Sequence, residues 1–384
     1  RCTVILWRDL GKRAHVINKL LNRKTQNRDI TGVQIPPRGF ATQPLTGAIN
    51  VDQSTALTIP TLWACVSLIS DSIGSLPFHA YRSGELVLPT PKLLEQPDPT
   101  KTRMESIAEI VQSLLLDGNA YILLGDRDIN GHAQAGIVLD PASIDIRTSR
   151  EGERLYAINN MQINPEDVLH IRGLTRPGDE FGIGVVASQR RELAIAVANQ
   201  QMAGDLYMSG AMPNGVLQSD TELTREEAQD LKSAFVAAHG GRQRSPAVLS
   251  AGIRYQPLSL SPKDLEFIDS RINSAREITT MFRVPAHMVN VPSEGSKTYS
   301  NVTQDSLNFV RFCLRGWLTR IEQAFTRELP RGQKAKFQMD ALLRGSRKER
   351  YDSYAIGISG GWLTVDEVRD LENISRDVAT DDLN

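Results

Sequence analysis

The sequence predicts an α+β fold built around long helices, and three observations carry that reading. Residues 261–329 hold two amphipathic helical patterns separated by a polar stretch. Between Ala120 and Ile171, short strand patterns follow one another at close spacing. A compact β-α-β-β pattern then lies between two long helical patterns, one ending near Met208 and the other starting at Pro262. Helix, insert, helix reads as a stalk with a head on it.

Composition bounds what such a chain does. Its 384 residues, 40% hydrophobic and 23% charged, suffice for two or three domains and a substantial core. No apolar run approaches the ~20 residues a membrane helix needs, and Cys2-Thr3-Val4-Ile5-Leu6-Trp7 is too short and wrongly flanked for a signal peptide. The expectation is a soluble protein of a cytoplasm-like compartment; the missing initiating methionine suggests a processed or trimmed start. Cys2, Cys65 and Cys313 lie far apart without a Cys-x-x-Cys pair, which argues against a disulfide framework and a zinc site and leaves them as small core or incidental residues. Six histidines show no H-x-x-x-H spacing, so neither a metal nor a cofactor is indicated. A formal net charge of −1 excludes a bulk polycation that grips nucleic acid, but not a surface past which nucleic acid slides.

In chain order, residues 1–31 are basic, with Arg1, Arg8, Lys12, Arg13, Lys19, Arg23, Lys24 and Arg28 against Asp9 and Asp29. Residues 32–59, rich in Gly, Pro, Thr and Gln, continue them as an extended arm, either a solvated tail or one that contacts neighbours or DNA. Pro60 opens a helix from Thr61 to Ile73 with Leu62, Val66 and Ile69 on its apolar side. A hairpin follows over residues 76–88 around Ser83-Gly84, then a helix from Arg103 to Leu116 ended by Gly118. Strands are expected at 120–124, 136–139, 144–147, 154–158 and 167–171, with turns at Asn130-Gly131 and Glu151-Gly152. His170 on the last of them has no nucleophile or acid set beside it, which favours a structural histidine over a catalytic base.

A long helix from Val186 to Met208 precedes the insert, whose helix starts at Thr224-Arg225-Glu226-Glu227 between strands 215–218, 247–250 and 253–258. Ser261-Pro262-Lys263-Asp264 then provides a hydroxyl cap, a first-turn proline and an early carboxylate, three marks of a helix start. Leu265, Ile268, Ile272, Ala275 and Phe282 recur at helical spacing and leave Glu266, Asp269, Asn273, Arg276 and Thr280 on another, wet face. Arg283-Val284-Pro285 stops this helix. The polar run around Ser296, Lys297, Thr298 and Tyr299 reads as a mobile loop. Thr303 caps a final long helix with Leu307, Val310, Leu314, Trp317, Ile321 and Phe325 in one stripe, roughly 40 Å from end to end. Gly316 interrupts it at a cost of about 1 kcal/mol relative to alanine and is the expected kink. Two short helices, 346–356 and 364–374, close the chain around Gly357-Ile358-Ser359-Gly360-Gly361.

That last run fits the G-x-S-x-G elbow of a hydrolase, but a helical pattern rather than a strand precedes it, so a turn is expected. Gly295-Ser296-Lys297-Thr298 ends like a phosphate loop, yet Asn290 stands where the upstream glycine is required. The two amphipathic helices are either a hairpin buried within one subunit or the wall of a ring, and spacing does not decide between these.

The order of motifs resembles the portal proteins of tailed bacteriophages, specifically the short portal family of long-tailed phages. The likeness is carried by Ala64-Cys65-Val66 with Asp71 to Pro77, Asp117 to Tyr121, Glu166 to Gly173, Gly210 to Gly215, Leu258 to Asp264 and Phe282 to Pro285. It covers residues 50–375 and rests on the co-linear set. Gly316 departs from it, standing where relatives commonly carry a proline. The resemblance implies a portal-type fold: a basic arm 1–44, an α/β wing 45–185, a helical stem 186–210 and 259–285, and a clip 211–258. It further implies a channel loop 286–302, a long kinked wing helix 303–334, a helical crown 335–375 and an acidic tail 376–384. It also implies a non-enzymatic ring of about twelve subunits at one capsid vertex, with double-stranded DNA on its axis. Ser296, Lys297, Thr298 and Tyr299 would then touch DNA, Glu266, Asp269, Asn273 and Arg276 would face the channel, and Arg225, Glu226, Asp230, Arg242 and Arg244 would dock partners. The implied partners are the terminase large subunit, the major capsid protein and scaffold, and the head-tail adaptor, with no membrane. The implied location is the virion, after assembly in the host cytoplasm. The alternatives are a structural or adaptor protein without a channel, or a hydrolase using Ser359.

Overall fold

The computed structural model describes residues 33–34, 51–148, 154–158, 161–208, 215–219, 224–239, 253–257, 262–292, 305, 307–339 and 347–372. It divides into two compact units, residues 1–193 with 276–384 and residues 194–275.

The first unit begins with β1 (Val33–Gln34) and α1 (Gln53–Leu57), where Asp52 Oδ1 accepts the free Thr55 N–H at 2.7 Å. In α2 (Pro60–Gly74) the proline occupies the first turn, and Leu62, Val66 and Ile69 are buried as their spacing requires. The hairpin is β2 (Phe78–Arg82) and β3 (Glu85–Leu86); Ser83 and Gly84, both at positive φ, make the turn that suits twisted strands. After the short α3 (Lys92–Glu95), α4 (Arg103–Leu116) starts from a capping box in which Thr102 and Glu105 satisfy each other's N–H groups. Gly74 lets α2 and α4 approach: a Cβ there would lie 2.9 Å from the Met104 carbonyl oxygen.

The strand series follows as β4 (Asn119–Arg127), β5 (Ala133–Leu139), β6 (Ile144–Thr148), β7 (Arg154–Ile158), β8 (Met161–Ile163) and β9 (Val168–Arg172). They form two antiparallel sheets, in the orders β5-β4-β9 and β1-β6-β7-β8. Tyr121, Leu123, Leu139, Ile144, Ile146, Tyr156, Ile158, Ile163 and Val168 fill one core shared by both sheets. The helix expected from Val186 is split: α5 (Val185–Ser188) ends at Gln189, and α6 (Arg190–Met208) starts anew.

In the second unit, β10 (Gly215–Ser219) pairs antiparallel with β11 (Ile253–Pro257), and α7 (Arg225–His239) lies between them in the chain. A second capping box, Thr224 with Glu227, starts α7. The expected strand 247–250 lies outside the described residues, as do the turns at 151–152 and 240–241. Asn199 of α6 donates to Ser270 Oγ at 3.4 Å and Ser274 Oγ at 3.3 Å, both on α8 (Pro262–Phe282), beside the buried Ala196, Val197 and Ala203.

Back in the first unit, a π-helical turn (Phe309–Leu314) leads into α9 (Arg315–Thr326). The departure from α geometry thus falls just before Gly316, which sits inside regular α9, rather than at the glycine. The wider turn buries Phe309, Val310, Cys313 and Leu314 together. An unanticipated strand, β12 (Gln333–Phe337), joins β2 in a third sheet of order β12-β2-β3, with Phe337 stacked on Phe78 at 4.1 Å. The chain closes with α10 (Arg347–Ser359) and α11 (Val365–Leu371).

Candidate channel and docking surfaces

Along α8 the described side chains Asp269, Asn273, Glu277 and Thr280 are exposed, whereas Ile278 and Phe282 are buried. Residues at these intervals share one stripe, so the helix has a wet, mildly acidic face as its pattern predicts. Of the four stem candidates, Asp269 and Asn273 point to solvent and Arg276 is half-buried, its Nε donating to the Pro292 carbonyl at 3.0 Å. The side chain of Glu266 lies outside the described set.

The end of α8 is built, not frayed. Arg283 is left-handed at φ 57, its N–H bonds to the Thr280 carbonyl at 3.1 Å, and the Val284 N–H reaches the Thr279 carbonyl at 2.9 Å. This pair of bonds is a Schellman motif, with arginine where glycine is usual. Cys313 Sγ donates to the Phe282 carbonyl at 3.2 Å, satisfying another orphan acceptor of the helix end. Burial raises the thiols of Cys65 and Cys313 to about 12, so both stay protonated.

Next come a tight turn, Ala286–Val289, and a left-handed Asn290. Arg276 ties down Pro292, and His287 Nδ1 faces Asp305 Oδ2 at 3.6 Å, so both roots of the polar loop are anchored. Ser296, Lys297, Thr298 and Tyr299 themselves lie outside the described residues. Among the docking candidates, Arg225, Glu226 and Asp230 are exposed on α7, and Arg242 and Arg244 lie outside the described residues. Gly316 is exposed, and its carbonyl accepts from Arg320 Nη1 at 3.0 Å.

Sequence reasoning missed how β12 is held. Its N–H groups at Ala335 and Phe337 donate to Thr326 Oγ1 at 3.0 Å and Glu322 Oε1 at 2.8 Å, both side chains of α9. A helix thereby closes the edge of a sheet that would otherwise offer free donors. Burial is the main cause that raises the Glu322 carboxyl above its ordinary value. The available signal was the alternation in Gln333-Lys334-Ala335-Lys336-Phe337, exposed at the lysines and buried at Ala335 and Phe337.

His170 is structural. Tyr156 Oη lies 3.2 Å from Nδ1, Nε2 lies 3.1 Å from Asn119 Oδ1, and the ring stacks on Tyr121 at 4.4 Å. Asn119 Oδ1 also accepts the Gly182 N–H at 2.6 Å, and Asn119 Nδ2 donates to Asp117 Oδ1 at 2.9 Å. With Nε2 protonated and Nδ1 accepting from the phenol, every group is satisfied by neutral imidazole. Burial, then Arg154 and Arg172, depress its pKa to about 3.

The hydrolase elbow fails on geometry. Ser359 is the last residue of a helix, α10, and its Oγ donates to the Ile356 carbonyl at 3.1 Å; Thr364 and Glu367 cap the next helix. Among the described residues, no group of His, Cys, Asp and Glu is placed to hold a metal, and no helix is long and apolar enough to cross a membrane.

A family model described as phage portal protein matches residues 60–373. A probable portal protein of Streptomyces phage phiC31 is 30% identical over 355 residues, covering 85% of this chain and 77% of the relative. The portal protein of Enterobacteria phage HK97 is 25% identical over 369 residues, covering 88% and 85%. Among solved structures, the neck of a native gene transfer agent particle, computed with C12 symmetry, matches with a TM-score of 0.61 at 21% identity, covering 87% of this chain and 96% of that one.

Proposed function

This chain belongs to the phage portal protein family, and from that premise we propose that it forms the ring-shaped channel at one capsid vertex through which double-stranded DNA is packaged and ejected. The observation that most supports this is the exposed stripe Asp269, Asn273, Glu277 and Thr280 on α8. A conduit must hold DNA on axis without gripping it: a protein that neutralises even 6–10 phosphates binds tightly and with steep salt dependence, which would arrest sliding. An acidic to neutral wall avoids that trap.

In this reading α6 and α8 are the stem, residues 211–258 the clip, residues 286–302 the channel loop, and α10 with α11 part of the crown. β12 groups more naturally with the wing, since it shares a sheet with β2. The C12 symmetry of the gene transfer agent neck supports a ring of about twelve copies. The clip, through Arg225, Glu226 and Asp230 with Arg242 and Arg244, would meet the terminase large subunit during filling and the head-tail adaptor afterwards. The wing would meet the major capsid protein and scaffold. The loop around Lys297, rooted by Arg276 and His287, acts as a guide or valve on the DNA.

Native mass spectrometry with negative-stain imaging tests the ring directly. About a dozen copies around a central hole is the expected result; a monomer that persists at high concentration with scaffold present would favour an adaptor without a channel. Lys297→Ala should impair packaging or DNA retention, and unchanged behaviour would remove the valve from the proposal.

A further inference from the structure

The hairpin of α10 and α11 has almost no core of its own. Of its described side-chain positions from Tyr351 to Glu372, Gly357 alone is buried. Ile356 is 66% exposed and Trp362 69% exposed, and Tyr351, Ile358, Val365 and Leu371 are also exposed. Helices of 13 and 7 residues are marginal in water unless an apolar face is buried, because helix nucleation is costly. Single exposed apolar residues are ordinary, but a run of this density marks an interface.

Trp362 is already seated for such a role. A Cβ on Gly357 would lie 3.0 Å from its ring and one on Gly360 2.9 Å, so the glycines make room for the indole against the chain while most of its surface stays exposed. A large aromatic held in place and left open is the form interface anchors take.

Charge indicates what covers it. The first turn of α10 carries Arg347, Lys348 and Arg350 with Glu349, an unfavourable sign at the positive end of a helix dipole. The other helix, α11, carries Asp366, Glu367 and Asp370, with Glu372 following, against one cation, Arg369, which pairs with Asp366 at 3.4 Å. One helix of the hairpin thus complements the other, which suits head-to-tail contact between copies and, when the rotation closes, a ring. DNA would be repelled by α11 and offers no apolar socket for Ile356 and Trp362.

Resting on the portal reading, we propose that this hairpin is completed by a second copy of the chain: Trp362 and Ile356 pack on the neighbouring hairpin, and acidic α11 of one copy lies beside basic α10 of the next. Hydrogen exchange over residues 347–372, read separately on monomer and ring fractions of the full chain sorted by native mass spectrometry, tests this. Exchange should be at least about tenfold slower in the ring than in the monomer. Trp362→Ser should abolish that difference, and Asp366→Lys should weaken it, with recovery when Arg347, Lys348 and Arg350 are changed to Glu. A hairpin equally protected in the monomer would overturn the proposal. So would a ring in which it stays unprotected, which would leave a different partner to cover it. Absence of any ring in the mass measurement would overturn the portal-ring reading and this interface together, and is distinguished from the other two results by mass alone.

Discussion

At the scale of single residues, burial couples protonation to stability at His170. His170 titrates near its ordinary value in the unfolded chain, but in the fold burial and two arginines depress it to about 3. Between about pH 6.5 and 3 the unfolded chain therefore binds a proton that the folded chain refuses. Stability from this group is complete above pH 6.5 and is lost as pH falls toward 3, at up to about 1.4 kcal/mol per pH unit. Urea denaturation from pH 7 to pH 4 should show a shallower slope for His170→Gln than for the parent; parallel curves would mean the imidazole is not held neutral. Nearby, Gly182 sits so close to Gly118 that a Cβ would fall 2.0 Å from the Gly118 carbonyl oxygen. Gly182→Ala should lower the melting temperature by the equivalent of about 1–3 kcal/mol or more, since backbone rather than a flexible side chain must move. Sequence reasoning favoured a structural histidine at 170, but not its partners, because Asn119 reaches it through the pairing of β4 with β9, strands distant in the chain.

At the scale of elements, two devices invite substitution. Arg283 adopts a left-handed conformation that glycine accepts without penalty. Arg283→Gly should stabilise the protein by about 1 kcal/mol, visible as a higher denaturant midpoint with unchanged slope. The edge of β12 depends on Glu322 and Thr326, and removing an acceptor leaves a buried donor unsatisfied at about 1–3 kcal/mol. Glu322→Ala should cost that much and increase aggregation, whereas a loss below about 0.5 kcal/mol would show that water replaces the carboxylate. These elements also show which features were legible. Helices α2, α4 and α8 announced themselves through proline starts, caps and apolar stripes, and their observed limits fall close to those expected. By contrast β8 is three residues long and β12 alternates lysine with apolar residues over five, patterns too short to stand out. Their strand character comes from partners, β7 and β2, that a local window does not contain. The π turn is similarly a product of tertiary contact: it lets Cys313 reach Phe282 while its neighbours stay buried.

At the scale of the whole molecule, the proposal to be tested is that the exposed face of α8 lines a DNA channel. The wet stripe was legible from spacing, and Asp269, Asn273 and Thr280 are exposed in the fold as that spacing requires. What one chain does not contain is the neighbour that turns a stripe into a wall, so the channel assignment has to be tested by charge. Replacing Asp269 and Asn273 by lysine changes the formal charge by three per copy, which the proposed ring of about twelve copies would multiply. A lining so altered would meet many phosphates at once and release their counterions, enough for affinity to fall by about 10³ or more between 50 and 200 mM salt. The Asp269→Lys, Asn273→Lys ring should therefore bind double-stranded DNA at low salt with a steep dependence on ionic strength, and should slow packaging in a way that added salt relieves. The parent ring should show neither effect, and native mass spectrometry of both rings controls for assembly. If the variant assembles, packages at the parental rate and binds DNA no more strongly at low salt, this stripe does not line the channel, and the conduit must be formed by another face of the stem.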